Sequence, residues 1–245
     1  MGDQPPEPLR IGVLGAARIA AVAIVDPAHT TGDRLVAVAA RDRRRAEAFA
    51  AIHGVERVLA GYVEVAADPE VEVVYNPLAN GLHGPWNLAA IAAGKHVLTE
   101  KPSASNAEEA REVRDAATAA GVTFLEGFHY LFHPVTRRLH ELLATGELGE
   151  LRQVEVDLVI PAPADDDPRW SLGLAGGALM DLGCYSLHAH RMLAPGPADH
   201  PGWSPPAAAS GPATPASTSG SRPTWSSRAG RPAAPAATWP ARVSA

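Results

Sequence analysis

Through the first half of the chain, apolar residues come in short unbroken runs, each followed by a polar loop and then by apolar positions at helical spacing. The runs lie at 9–14, 35–39, 71–75, 95–99 and 122–126. Between them, helices are expected to about residue 25, from Asp42 to about residue 53, over 84–93, and from a cap at Ser105 or Asn106 to residue 120. Gly94 and Gly121 stop the last two. Continuous apolar strands alternating with such helices predict an α/β fold, a doubly wound parallel sheet whose ligands lie beyond the carboxyl ends of the strands.

The pattern changes further on. A helix over 134–145 carries Val135, Leu139, Leu142 and Leu143 on one face, and over 151–160 Val154, Val156 and Leu158 alternate with Glu155, Asp157 and Val159. That alternation marks a half-exposed strand, so a second unit with an open antiparallel sheet is expected to begin here. A last helical pattern runs over 176–193, with Asp181, Tyr185 and His188 at i, i+4 and i+7 on one face. By spacing alone, such a polar stripe reads as a solvated face.

From Pro195 onward Pro, Ala, Ser, Gly, Thr and Arg dominate, and Leu, Ile, Phe, Tyr and Lys vanish. Such a segment buries too little apolar surface to offset the entropy of ordering it, so 195–245 is expected to be disordered. The abrupt change reads as a truncation or a frameshift after about residue 194.

Composition narrows the partners. The 245 residues are 46% hydrophobic, which supports one large or two modest domains with a real core. Aromatics at 5% and a formal charge of -6 argue against nucleic acid, leaving a neutral or polar small molecule as the expected partner. Met1-Gly2-Asp3-Gln4-Pro5-Pro6 lacks a secretory pattern, and no run approaches the roughly 20 residues of a membrane span. The single cysteine, Cys184, permits no internal disulfide. A soluble cytoplasmic protein without membrane contact is the expectation.

The first run ends in Gly15-Ala16-Ala17-Arg18-Ile19-Ala20, a weakened G-x-G-x-x-G dinucleotide fingerprint with alanines in the second and third glycine slots. Gly15 would make the tight turn, Ala17 would let a pyrophosphate approach, and the helix start would supply amides. The same residues also fit an ordinary strand-to-helix turn. After the second run Arg41 precedes Asp42. An arginine there accommodates a 2'-phosphate where an acid would bond a ribose hydroxyl, so NADP is favoured, with NAD the alternative and Asp42 a helix cap. A solvated basic helix start is the other reading. Asn80, His83 and Lys101 follow strand ends and should meet on one rim.

Four segments in order carry a resemblance: Gly15-Ala16-Ala17-Arg18-Ile19-Ala20, Glu100-Lys101-Pro102, Glu126-Gly127-Phe128-His129-Tyr130-Leu131-Phe132-His133-Pro134 and Gly177-Ala178-Leu179-Met180-Asp181-Leu182-Gly183-Cys184-Tyr185. Together they resemble the Gfo/Idh/MocA oxidoreductases over residues 9–193. Asp181-x-Gly183-x-Tyr185 and Ala40-Arg41-Asp42 are similar to the branch of dimeric dihydrodiol dehydrogenase, NADP-linked xylose dehydrogenases and glucose-fructose oxidoreductase. The resemblance implies a Rossmann domain over 8–127, a truncated α+β substrate domain over 128–194 and a low-complexity tail over 195–245.

It also implies a hydride transfer between a nicotinamide and a carbinol carbon of a sugar, polyol or cyclic diol. Lys101 would bond the reacting oxygen and act in proton transfer, Tyr185 would share that role, and Asp181 would orient the substrate. Gly15, Ala16, Ala17, Arg18, Ile19, Arg41, Pro77, Asn80, His83, Glu100 and Lys101 would hold the cofactor, with Glu100 fixing the lysine. The Lys-Pro bond of this motif is often cis in the family. Such chemistry needs a base beside the hydroxyl, and a lysine or tyrosine serves when its surroundings favour the neutral amine or the phenolate. No metal is expected. Intact relatives form homo-oligomers through a sheet that is absent here. The alternative is an inactive nucleotide-binding relative or sensor.

Overall fold

In the computed structural model the described residues are 7–193 and two further strand segments, 226–227 and 238–244. Strands β1 (Arg10–Leu14), β2 (Arg34–Ala39), β3 (Val73–Asn76), β4 (His96–Thr99) and β5 (Phe124–Glu126) form one sheet in the order β2-β1-β3-β4-β5, all neighbours parallel. The chain steps from β1 outward to β2 and returns to pair β3 on the other edge of β1. Strand order therefore reverses between β1 and β3, where an α/β sheet opens a crevice beyond its carboxyl ends.

Alternate side chains of β1, β3 and β4 serve opposite layers, as period-2 geometry requires, while a register shift opposite Ile11 and Gly12 breaks the alternation in β2. Val13, Val38 and Tyr75 pack with Ala20, Val25, Ala28 and Phe49 on one face. Leu14, Val36, Val74 and Val97 pack on the other with Val65, Ile91, Val113 and Ala117. On the first face Ala28 comes from α1 (Asp26–Thr31) and Phe49 from α2 (Arg43–His53), with Ala20 and Val25 from the turn ahead of α1; α3 (Tyr62–Ala67), α4 (His83–Ala92) and α5 (Ala107–Ala120) supply the second. At Gly12 a Cβ would stand 2.7 Å from Val65 Cγ1 and 2.9 Å from Val71 Cγ2, so the close seat of α3 on β1 needs a glycine.

Caps follow the sequence reading. Asp42 accepts the Arg44 amide at 3.0 Å, and Asn106 accepts those of Glu108 and Glu109, each at 3.0 Å. Two features differ from it. The helix expected to end near residue 25 continues to Thr31, because a π-helical turn over Ala21–Val25 shifts the hydrogen-bond register just ahead of Pro27, which has no N–H to give. The short α3, with two valines and two alanines in six residues, has no counterpart in the pattern reading.

Beyond β5 come α6 (Pro134–Ala144), β6 (Glu155–Pro161), a π-helical turn over Leu179–Gly183 and α7 (Cys184–Leu193). Burial alternates along β6 as expected, and Leu158 and Ile160 pack against the buried Leu182. No residue of α6 is buried. Strand β6 pairs antiparallel with a late segment: Glu155 opposes Ser244 and Pro161 opposes Thr238. Taking β7 as Ser226–Ser227 and β8 as Thr238–Ser244, the order of this sheet is β6-β8-β7. The disorder expected for the tail falls outside the described residues at 195–225 and 228–237. Where the tail is described, at 226–227 and 238–244, it is strand. An edge strand presents unpaired backbone groups, and main-chain pairing of 238–244 with β6 satisfies them. Among the described residues no helix is long and apolar enough to cross a membrane.

Candidate active site

A cleft of about 1490 Å³ opens at the carboxyl ends of the parallel strands. Ala17, Arg18 and Ile19 form one side of it, Pro77, Asn80, His83, Glu100 and Lys101 its floor, and Arg169, Asp181 and Tyr185 the opposite wall. Gly15 lies just beneath, at φ 92, where a Cβ would meet Leu78 Cδ2 at 3.0 Å; its N–H bonds Ala39 O at 2.7 Å. The tight turn is therefore real and requires glycine. Among the described residues the amides of Ala17, Arg18 and Ile19 enter no backbone hydrogen bond, and Ala20 behind them is fully buried. Such a turn offers donors to an anion at a helix start.

Arg41 is exposed just past β2 and lies outside the cleft lining. Asp42 is occupied as the α2 cap and is 3.6 Å from Arg44. Arg45, which sequence reasoning missed, donates to Ala16 O at 3.0 Å and ties α2 to the turn. The edge of the site beyond β2 is thus basic, with its nearest acid already engaged.

Lys101 is fixed from beneath by a buried polar network. Asn76 donates to Asn87 Oδ1 at 2.9 Å and to His83 O at 3.2 Å, and Asn87 donates to Ser103 O at 3.1 Å. The His83 ring, 1% exposed, has Nδ1 2.6 Å from Pro102 O and Nε2 2.8 Å from Leu78 O. Burial pulls its pKa below the ordinary histidine value, against the opposing pull of the two carbonyls. Both ring nitrogens thus face carbonyls of the loops around the lysine, and the neutral ring donates its one N–H to one of them. The Lys101–Pro102 peptide is cis.

The lysine ammonium donates to Asp181 O at 2.7 Å and to Asp181 Oδ1 at 2.9 Å, and stands 5.0 Å from the centre of the Tyr185 ring. Its side chain is 12% exposed and that of Asp181 11%. Glu100, expected to fix the lysine, instead accepts the Tyr75 hydroxyl at 2.8 Å; Asp181 holds the lysine. The stripe of Asp181, Tyr185 and His188, read from spacing as a solvated face, is turned inward. Asp181 is 7% exposed, Tyr185 lies edge-on to Phe128 at 5.5 Å, and His188 stacks on Phe128 at 4.0 Å with Nδ1 2.6 Å from the Tyr130 hydroxyl. Helical spacing says which residues share a face, and only the fold says what that face meets.

Burial sets the proton affinities here. It raises the Tyr185 and Tyr75 phenols well above the usual range, pushes Tyr130 up to about 12 and Cys184 up to about 11, and raises the Glu126 carboxyl although that group accepts the Ser103 amide at 2.7 Å. The far wall is bound across the cleft mouth at three points. Besides the Lys101 pair, Asn80 donates to Ala175 O at 3.1 Å, and Arg18 lies 3.8 Å from Asp167. Arg169 is held by Asp167 through both carboxylate oxygens at 3.0 Å and reaches Asp181 Oδ2 at 3.7 Å. Among the described residues no cluster of side chains is arranged to hold a metal ion.

Two family models match the chain. One, described as an oxidoreductase family with an NAD-binding Rossmann fold, matches residues 9–128, and the other, the GFO/IDH/MocA C-terminal domain, matches residues 136–200. The chain belongs to the Gfo/Idh/MocA oxidoreductase family. Among its relatives, D-xylose 1-dehydrogenase (NADP(+)) 2 of Haloferax volcanii is 39% identical over 186 residues, 76% of this chain and 57% of that protein. Trans-1,2-dihydrobenzene-1,2-diol dehydrogenase of Mus musculus is 36% identical over 192 residues, 76% of this chain and 56% of that protein. KijD10, a 3-ketoreductase from Actinomadura kijaniata solved with NADP and TDP-benzene, superposes with a TM-score of 0.69 at 33% identity, covering 75% of this chain and 57% of the other. The chain thus spans somewhat over half the length of the relatives it matches.

Proposed function

We propose that this member of the Gfo/Idh/MocA family is an NADP-dependent oxidoreductase acting at a carbinol carbon of a sugar, polyol or cyclic diol. Residues 8–127 form its nucleotide-binding domain and 128–194 the wall facing the substrate. The observation that carries this reading is the Lys101 ammonium at the carboxyl end of β4, 2.9 Å from a nearly buried carboxylate, in a cleft at the reversal point of the sheet. The named xylose and dihydrodiol dehydrogenases, relatives above 35% identity, support the substrate class.

The residues fit a dinucleotide. The Gly15 turn with its free amides suits a pyrophosphate, Arg41 and the absence of a free acid beyond β2 suit a 2'-phosphate, and Pro77, Asn80 and Glu100 line the route to Lys101. When bound, the nicotinamide supplies the hydride acceptor or donor. The chain's own residues handle the oxygen. Lys101 bonds the substrate oxygen and exchanges its proton, Asp181 keeps the amine aimed into the cleft, and the Tyr185 phenol, whose proton burial makes hard to remove, acts as a hydrogen-bond donor to the same oxygen. His83, with both nitrogens on carbonyls, holds the Lys101 segment in place instead of meeting the substrate directly.

A second reading, nucleotide binding without turnover, draws support from the fact that both hydrogen bonds of the Lys101 ammonium go to Asp181. The test is nicotinamide absorbance with a panel of aldoses, inositols and dihydrodiols, alongside titration with each nucleotide. Turnover with tighter NADP binding supports the first reading. Binding without turnover supports the second, and tighter NAD binding overturns the cofactor assignment.

A further inference from the structure

The segment between β6 and the π-helical turn crosses the mouth of the cleft and brings a second cation to the lysine's counter-ion. Arg169 is two-thirds buried, and its guanidinium is divided between two carboxylates: Nε and Nη2 on Asp167, each at 3.0 Å, and Nη1 3.7 Å from Asp181 Oδ2. The other oxygen of Asp181 holds Lys101 at 2.9 Å. A single carboxylate, 11% exposed, therefore serves two cations, and low local dielectric makes that competition count.

We propose that Arg169 is a positioning residue that, by sharing the Asp181 carboxylate, limits how tightly that carboxylate holds the Lys101 ammonium and so keeps its proton available for transfer. Asp167 sets the strength of the effect by engaging the rest of the guanidinium. The other ionisable groups near Lys101 are Glu100 beside it, Glu126 on β5, His83 on α4, and Cys184 and Tyr185 on α7. Of these, Glu100 is bonded to Tyr75 and Glu126 to the Ser103 amide. Arg169 is the cation that meets Asp181 from the far side.

The chain has just two lysines, Lys95 and Lys101, so protein grown on lysine labelled at Cε gives two resonances, and K101M assigns one of them. Titrating that resonance reads Lys101 directly. Removing Arg169 takes away both a competitor for Asp181 and a nearby positive charge, and both changes favour the charged amine. In R169Q the Lys101 resonance should titrate at higher pH than in the parent chain, and in R169K by a smaller margin. D167N frees the guanidinium to engage Asp181 more fully and should move it the other way. An arginine that merely braces the loop would lower the melting temperature in R169Q and leave the Lys101 titration unmoved in both variants, which overturns the proposal, as does a downward shift in R169Q. If R169Q does not fold, D167N decides alone, a fall supporting the proposal and no change or a rise overturning it. The proposal rests on reading Lys101 as the proton-transferring group, but this titration needs neither nucleotide nor turnover. A shift of the predicted sign in a chain that never turns over would leave the proposal standing and sink the functional reading.

Discussion

The five-stranded sheet and the segment after β5 use their apolar residues in opposite ways. In the sheet, Val13, Leu14, Val36, Val38 and Val74 are wholly buried between helices on both faces. After β5, no residue of α6 is buried, β6 is covered on one side, and the apolar cluster centres on Leu182 alone. The first region is held by burial at about 25 cal/mol per Å² of apolar surface. The second is seated on the first through polar contacts at the cleft: Lys101 with Asp181, Asn80 with Ala175 and Arg18 with Asp167. The wall opposite the sheet is thus positioned by the same groups that line the cleft, so changes of charge there reach its geometry while the sheet stays put.

That contrast can be broken by substitution. Leu14→Ala should cost about 2–5 kcal/mol in urea unfolding, whereas Val135→Ala, on the open face of α6, should stay within about 0.5 kcal/mol. Equal costs would erase the distinction. Gly81→Ala is the next largest effect. A Cβ there stands 2.9 Å from the Leu174 backbone, so the loop after β6 must lift, at about 1–3 kcal/mol. Hydrogen exchange should accelerate over 163–177 and hardly change in β1 to β4; uniform acceleration would mean that the two regions are one cooperative unit.

A smaller effect sharpens the comparison at the boundary. Burial raises the Glu126 carboxyl, so its contribution favours folding below the unfolded-state pKa and is lost as pH rises through the folded-state pKa. Glu126→Gln keeps an acceptor for the Ser103 amide. It should therefore be more stable than the parent near pH 8, by under about 1 kcal/mol, and show no gain near pH 4. A gain independent of pH would assign the effect to packing.

Legibility in the sequence follows the same division. The five strands, the Asp42 and Asn106 caps and the glycine stops were readable because fully buried strands and capped helices write local signals. The extension through Pro27 was not, since a π-helical turn leaves no residue signature. Nor was α3, which is too short to show a period. At the site, Gly15, Ala17, Asn80, His83 and Lys101 stood out as residues after strand ends, and the fold brings them to one rim. The partners Asn76, Asn87, Tyr75, Arg45 and Arg169 were invisible, because their contacts bridge separate elements and follow no local pattern. The stripe of Asp181, Tyr185 and His188 was legible as a stripe but reads as solvated from spacing alone; the family resemblance, not the periodicity, pointed Asp181 and Tyr185 toward the site, since whether a helix face meets water or a lysine is a tertiary fact.

The most direct test of the account compares the parent chain with K101M in single-turnover absorbance, using NADP and the polyol panel, with nucleotide affinity measured in parallel. The account predicts nucleotide binding within about twofold of the parent and hydride transfer slowed about 10²–10⁴-fold, the usual range for a lost general acid–base. Undiminished transfer in K101M would contradict it.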